Sequence, residues 1–275
     1  MNLFAVNQDD ITDAMEDSKK RHFFTTFQHL DAHFGIRRGC YSVYMGTTGC
    51  GKSSLVKTVG LQASSTPNAK VLFWLSEEKK AKYAKGMDQY CRMMGLDLSN
   101  IGFFEESSID QEMIKTHEDF LRYFTEVVLM TNADIVIIDN ISTSRFYGPQ
   151  TSLKEQGRTV EFFKKTSQDL DIALVAVIHT SSHVSDNMGR LFTTEDVRGI
   201  RSISLEASYF YAIQKFTRSG EIFNFLRTLK FREHANAAGT YHLKYDPAIS
   251  LYVGDEKVQF DMVKKIFNES DRLKK

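Results

Sequence analysis

The chain has 275 residues, 42% of them hydrophobic, enough to bury the core of one large α/β domain and too apolar for a disordered protein. Lysine plus arginine balances aspartate plus glutamate at 35 each, which excludes a global positive field for nucleic acid or anionic membrane and leaves such contacts to local patches. Three cysteines, Cys40, Cys50 and Cys91, show no CxxC spacing, and no run of 18 apolar residues occurs; reduced thiols, no membrane partner and a cytoplasmic, unexported chain are expected.

Residues 8–30, "QDDITDAMEDSKKRHFFTTFQHL", have the pattern of a polar amphipathic helix whose stripe, Ile11, Met15, Phe23, Phe24 and Phe27, needs a surface. A strand "CYSVYM" and a helix "SSLVKTVGLQA" follow, then a strand "AKVLFWLS" at 69–76, a charged helix "EEKKAKYAKGMDQYCRMMG" and a long helix near 109–131. Next come a strand "ADIVIIDNIS", a helix over 153–170 and a strand "DIALVAVIHT". Near-continuous apolar strands alternating with helices predict an α/β fold, a mainly parallel sheet covered on both faces, with its active edge at the strands' carboxyl ends. From about residue 205, "SYFYAIQK", "IFNFLRTLKF", "GTYHLKYD" and "SLYV", split by the turn signals "RSGE", "ANAAG" and "DPA", predict C-terminal β-hairpins extending that sheet. Residues 256–275 read as a charged helix or tail, residues 1–30 as an N-terminal linker helix, and residues 31–255 as the one folded domain.

Between the first strand and its helix stands "YMGTTGCGKSSL", with the P-loop form GxxxxGK[ST]. Glycines let the backbone curl so that successive N–H groups point at phosphate oxygens, at a helix start that also favours negative charge. Gly46, Thr47, Thr48, Gly49, Cys50, Gly51, Lys52, Ser53 and Ser54 are the candidate cradle for ATP or another nucleoside triphosphate. Lys52 would supply a point charge to the β- and γ-phosphates and Ser53 a hydroxyl to magnesium.

Asp139 ends the apolar run "DIVII", the Walker B form of a magnesium-binding carboxylate, though an aspartate can also simply cap a strand. Glu77 and Glu78 follow the strand after the P-loop helix. Glu77 could orient or deprotonate an attacking water, and strand order is expected to set it beside the P-loop strand; both glutamates also suit the start of the next helix. His179, at the end of "IALVAVI", could bond the γ-phosphate or be a satisfied, partly buried histidine.

These motifs, in order, resemble the RecA-like hexameric helicases of the DnaB class, above all the helicase domain of phage primase-helicases and of the mitochondrial helicase Twinkle. The matching elements are "FQHLDAHFGIRRGCYSVYMGTTGCGKSS", "WLSEE", "IVIIDNIS", "VAVIHT", "TTEDVRGIRSISLEAS" and "TLKFREHANAAGTYHLKYD". The resemblance implies a RecA-like P-loop ATPase that assembles into a homo-oligomeric, hexameric ring and moves along single-stranded DNA. It implies Glu77 as catalytic carboxylate, Asp139 as the Walker B acid and His179 as phosphate sensor. In "LKFR", Lys230 and the arginine finger Arg232 would reach the neighbouring subunit's nucleotide. Tyr245 would pack on the base, and Lys215 stands where relatives have a base-stacking arginine. The N-terminal helix would dock on an adjacent subunit. Taken alone, "LKFR" can also be an exposed strand with outward cations and Tyr245 a hairpin aromatic.

The family's DNA loop follows His179, yet "SSHVSDNMGRLF" offers only Arg190 as a permanent cation; Arg198 and Arg201 in "VRGIRS" are further candidate DNA contacts, as are Arg145, Lys154 and Arg158. Ser208 stands where many relatives carry an acid. The absence of primase motifs implies a separate primase, loader or polymerase partner. A second reading from another class is a RecA-type nucleotide-switched binding protein that assembles without unwinding.

Overall fold

The computed structural model describes residues 21–31, 35–110, 112, 114–184, 190–218, 221–231 and 239–258. Within them the chain forms one nine-stranded sheet in the order β3-β2-β4-β5-β1-β6-β7-β8-β9. The strands are β1 Tyr41–Gly46, β2 Val71–Leu75, β3 Ile101–Glu105, β4 Ile135–Asp139, β5 Ala173–His179, β6 Tyr209–Arg218, β7 Glu221–Phe231, β8 Thr240–Asp246 and β9 Leu251–Lys257. Pairings from β3 through to β6 are parallel, whereas β6 to β9 pair antiparallel as hairpins. The expected mainly parallel sheet with C-terminal hairpins is therefore present.

Every residue of β1, β2 and β4 is buried, as their nearly continuous apolar runs require. On one face Tyr44, Phe73 and Ile137 meet Leu55 and Val59 of helix α2 (Lys52–Ala63). Gly60 of that helix has no room for a side chain, since a Cβ would collide with Phe73 and Ile137. On the other face lie α5 (His117–Thr131) and α6 (Leu153–Asp169), following α1 (Gln28–Asp31), α3 (Lys80–Tyr83) and α4 (Met87–Met94) in the chain and preceding α7 (Ser202–Glu206). There Trp74 packs within 4.2 to 5.9 Å, centroid to centroid, of Phe104, Phe120, Phe124 and Phe146. No helix among the described residues is long and apolar enough to cross a membrane, and the three cysteines are free and buried.

Several boundaries differ from the sequence expectation, each for a local reason. The edge strand β3, "IGFFE", was not anticipated; a short run opening on Ile-Gly carries little signal, and all five of its residues are only half-buried. The helix expected near 109–131 starts at His117, where Thr116 and Asp119 form a reciprocal capping box. The charged helix over 77–95 divides into α3 and α4 at Gly86, which has φ of 85°. The described end of the expected 8–30 helix is helical only from Gln28; residues 1–20 and the C-terminal residues 259–275 lie outside the described residues. Before Gln28 the Asp31 carboxylate accepts from the Thr25 N–H and hydroxyl at 2.8 and 2.9 Å, local bonds that compete with helix formation. Of the stripe's described residues, Phe23 and Phe27 are buried in this chain's own core, while Phe24 is exposed.

Asp255 of β9 caps α1 by accepting from the N–H groups of Gln28 at 2.7 Å and His29 at 3.0 Å. Asp255→Ala is expected to destabilise the fold by about 1–2 kcal/mol, read from the urea midpoint; an unchanged midpoint would contradict the assigned cap.

Candidate functional site

The glycine loop joins β1 to α2 under strict steric limits. Gly49 and Gly51 have φ of 77° and 97°, left-handed values that L side chains rarely adopt. A Cβ on Gly51 would also strike the Tyr252 hydroxyl, and one on Gly46 would strike Cys50 Sγ and the Ile213 carbonyl. Gly51 is the N-cap of α2 and no side chain caps it, so the helix start keeps backbone donors for an anion. Lys52 is buried, and its ammonium donates to the carbonyls of Gly46 at 3.1 Å and Thr47 at 2.6 Å. Its third contact is His179 Nδ1, at 3.1 Å.

Register explains that contact: β1 pairs with β5 so that Gly46 lies opposite His179, and the Thr180 N–H donates to the Gly46 carbonyl at 3.1 Å. Burial, and then the charge of Lys52, lower the His179 pKa to about 4, while Glu77 pulls it up. The ring is therefore neutral near pH 7. Nδ1 accepts from Lys52, and Nε2 lies 3.1 Å from the Asn140 amide nitrogen and 3.9 Å from Glu77 Oε1.

Glu77 reaches this point by a route that differs from the one expected. β4 and β5 stand between β2 and β1, so strand adjacency does not bring it to the loop. Instead the chain after β2 leans over the end of β4: the Ser76 N–H donates to the Asp139 carbonyl at 3.1 Å, and the Ser76 hydroxyl donates to the Asn140 carbonyl at 2.6 Å. Glu78 faces away and pairs with Lys82 at 2.9 Å.

Asp139 is buried beside Ser53, whose hydroxyl is hydrogen-bonded to it, and accepts from the Tyr83 hydroxyl at 3.0 Å. Burial raises the Asp139 pKa despite those bonds and the charges of Lys52 and Lys57. This carboxylate is short of positive charge, and with Ser53 it forms an oxygen donor pair suited to magnesium. No group of three His, Cys, Asp or Glu among the described residues could hold a metal, so the remaining ligands would be phosphate and water oxygens.

These groups open onto a cavity of about 800 Å³, a size typical of small-molecule sites. Thr48, Gly49, Cys50, Gly51, Lys52, Ser53, Ser54, Glu77, Asp139, Asn140 and His179 form its polar side. Lys215, Ile222, Asn224, His242, Leu243, Lys244, Tyr245, Pro247 and Tyr252, from the hairpins, line the rest. Tyr245 meets Tyr252 edge to face at 5.3 Å, and the Tyr252 hydroxyl donates to the Cys50 carbonyl at 3.3 Å. Thr47 faces a second cleft of about 890 Å³ that shares Thr48, His179 and Lys215 and adds Arg198.

Other sequence candidates lie elsewhere. Lys230 does not line the cavity of its own chain; its ammonium donates to the Ser204 carbonyl at 2.8 Å and to that of Leu205. Arg232 lies outside the described residues, as do 185–189 of the loop after His179. Arg190, expected to meet DNA, is instead held by both oxygens of Asp196, one at 2.7 Å. Arg201 is exposed, 3.6 Å from Glu195, and Arg198 is exposed at the second cleft. Arg145 borders a separate cleft with Lys115 and Glu155, away from the loop.

Sequence reasoning missed Asn140, Ser76, Tyr83 and Tyr252. Only Asn140 carried a signal, its position directly after Asp139; the others join the site through contacts across the chain. No protein-family model matches the sequence, and a search of curated proteins finds no match.

A histidine whose folded pKa lies below the ordinary value of about 6.5 contributes stability that is complete above pH ~6.5 and is lost as pH falls toward about 4. His179→Gln is therefore expected to flatten the stability profile across that window. Glu77→Gln removes an upward pull and should lower the ring's pKa further, read by NMR titration; a wild-type ring that titrates at or above about 6.5 would contradict the geometry.

Proposed function

We propose that the chain is an ATP-hydrolysing, ring-forming DNA helicase motor with a RecA-like P-loop fold, moving on single-stranded DNA in phage-type replication. One observation supports this most: the ammonium of Lys52, the hydroxyl of Ser53, the carboxylates of Asp139 and Glu77 and the imidazole of His179 come from four strand ends and face one cavity with an aromatic far wall. The ordered motifs of the DnaB-like helicases supply the biological context.

In this reading the glycine loop and the uncapped start of α2 bind phosphate oxygens through backbone N–H groups. All three Lys52 donors are engaged by Gly46, Thr47 and His179, so a triphosphate must displace at least one of them. His179 is the only one of the three acceptors on a movable side chain, and its release makes it a reporter of the phosphate. Magnesium, held by Ser53 and Asp139, would supply charge neutralisation at the phosphate oxygens. Glu77 orients the attacking water and accepts its proton, while Tyr245 and Lys215 flank the base. Lys230 and Arg232 serve the adjacent protomer's nucleotide; the engagement of Lys230 away from its own cavity suits that division. A finger of this kind contributes about 10³ to 10⁵ in rate, so hydrolysis would depend on assembly.

A nucleotide-switched binding protein without unwinding is the second reading. The pairing of Arg190 with Asp196 favours it, since it ties up a cation of the loop that would meet DNA.

Purified protein is expected to form larger particles with an ATP analogue, to hydrolyse ATP faster with single-stranded oligonucleotide and to unwind a forked duplex, with Lys52→Ala losing all hydrolysis. Arg232→Ala should lower kcat by at least about 10³-fold while nucleotide binding persists. Hydrolysis at full rate by an isolated monomer would contradict the motor; nucleotide-dependent assembly without unwinding would select the second reading.

A further inference from the structure

The Tyr83 hydroxyl donates to Oδ2 of Asp139 at 3.0 Å, yet Tyr83 does not line the cavity, so it reaches the site only through that carboxylate. The residue is buried, and its ring packs against Phe73 at 5.5 Å and Phe103 at 6.3 Å, centroid to centroid, with the Lys57 ammonium 4.0 Å over its face. Lys57 and Ser53 stand one turn apart on α2, and Ser53 supplies the other hydroxyl bonded to Asp139. The two donors differ in their other duties. Ser53 lines the cavity and is the hydroxyl offered to magnesium, whereas Tyr83 serves the carboxylate alone. The segment that carries Tyr83 also grips Asp139 by its main chain, since the Ser76 N–H donates to the Asp139 carbonyl at 3.1 Å. Residues 76–83 therefore fix Asp139 at two points, and Glu77 lies between those points in the chain.

We infer that Tyr83 is a positioning residue for the magnesium carboxylate, fixing the Asp139 side chain so that it meets the cation preorganised. The inference rests on the nucleotide reading above and adds to it a residue that acts from behind the metal. A carboxylate free to rotate must lose that freedom when it binds a cation; a bond to a clamped phenol removes it beforehand. Hydrogen-bond partners standing behind a metal ligand typically change metal affinity by about 10- to 100-fold. A tyrosine that only supports the fold would matter equally with and without the cation.

The test measures the affinity of a ribose-labelled fluorescent ATP with magnesium and with EDTA, in wild type, Tyr83→Phe, Asp139→Asn and the double variant. The ratio of the two affinities isolates the part played by the cation. Wild type is expected to bind more tightly with magnesium. Tyr83→Phe keeps the ring and should lower that ratio by about tenfold while affinity in EDTA is unchanged. In the Asp139→Asn background the same substitution should move the ratio by less than about twofold, because no carboxylate remains to be positioned. An unchanged ratio in Tyr83→Phe, an equal loss of affinity with and without magnesium, or an undiminished effect in the Asp139→Asn background would overturn the role of Tyr83 and leave nucleotide binding standing. Wild-type binding indifferent to magnesium would remove Ser53 and Asp139 as its donors and this inference with them; no binding under either condition would remove the nucleotide reading itself.

Discussion

Parallel pairing of β1 with β5 sets Gly46 opposite His179, and the site depends on that register. It brings a neutral imidazole to the mouth of the glycine loop, where the Lys52 ammonium is buried with three acceptors around it. A one-residue slip would point His179 to the opposite face of the sheet and leave the buried ammonium short of an acceptor. The parallel pairing of β1 with β6 places Ile213 beside Gly46 on the other side, so the loop is hemmed in from both sides and only glycine fits at its first position.

Around this contact the charges are arranged in two tiers. Lys52 is satisfied by carbonyl and imidazole groups, which carry no formal charge, and Asp139 is hydrogen-bonded by hydroxyl groups. Neither is neutralised by a close ion pair. Burying a charge without a counter-charge is expensive, and the raised pKa of Asp139 expresses that cost. A site of this kind gains most from a ligand that brings its own anion and cation together, which is what a magnesium triphosphate does. Tyr83 links this tier to the rest of the fold: it donates to Asp139, and Lys57 sits 4.0 Å above its ring.

Much of this was legible in linear order. Asp139 and His179 end unbroken apolar runs, Lys52 and Ser53 follow the first strand through the glycine loop, and a parallel sheet delivers the ends of such strands to one edge. Glu77 was placed correctly at the cavity for the wrong reason: strand order separates it from the loop, and the Ser76 bridge to Asp139 and Asn140 brings it back. Bridges of that sort are side-chain contacts between distant segments and leave no trace in periodicity. Tyr252 against Gly51 and Asn224 opposite Lys215 are hidden likewise, because hairpin register is set by bulges and turns that patterning does not resolve. In the described part of the N-terminal segment the aromatic spacing fits a helix, yet residues 21–27 are not helical because Thr25 and Asp31 close a local turn there.

The account turns on the claim that a bound triphosphate takes the Lys52 ammonium from His179. Titration of ¹⁵N-histidine-labelled protein with a magnesium-bound, non-hydrolysable ATP analogue tests it most directly. A saturable change in the Nδ1 resonance of His179, absent in Lys52→Ala, is the predicted result; a His179 ring unmoved at saturating nucleotide would contradict it.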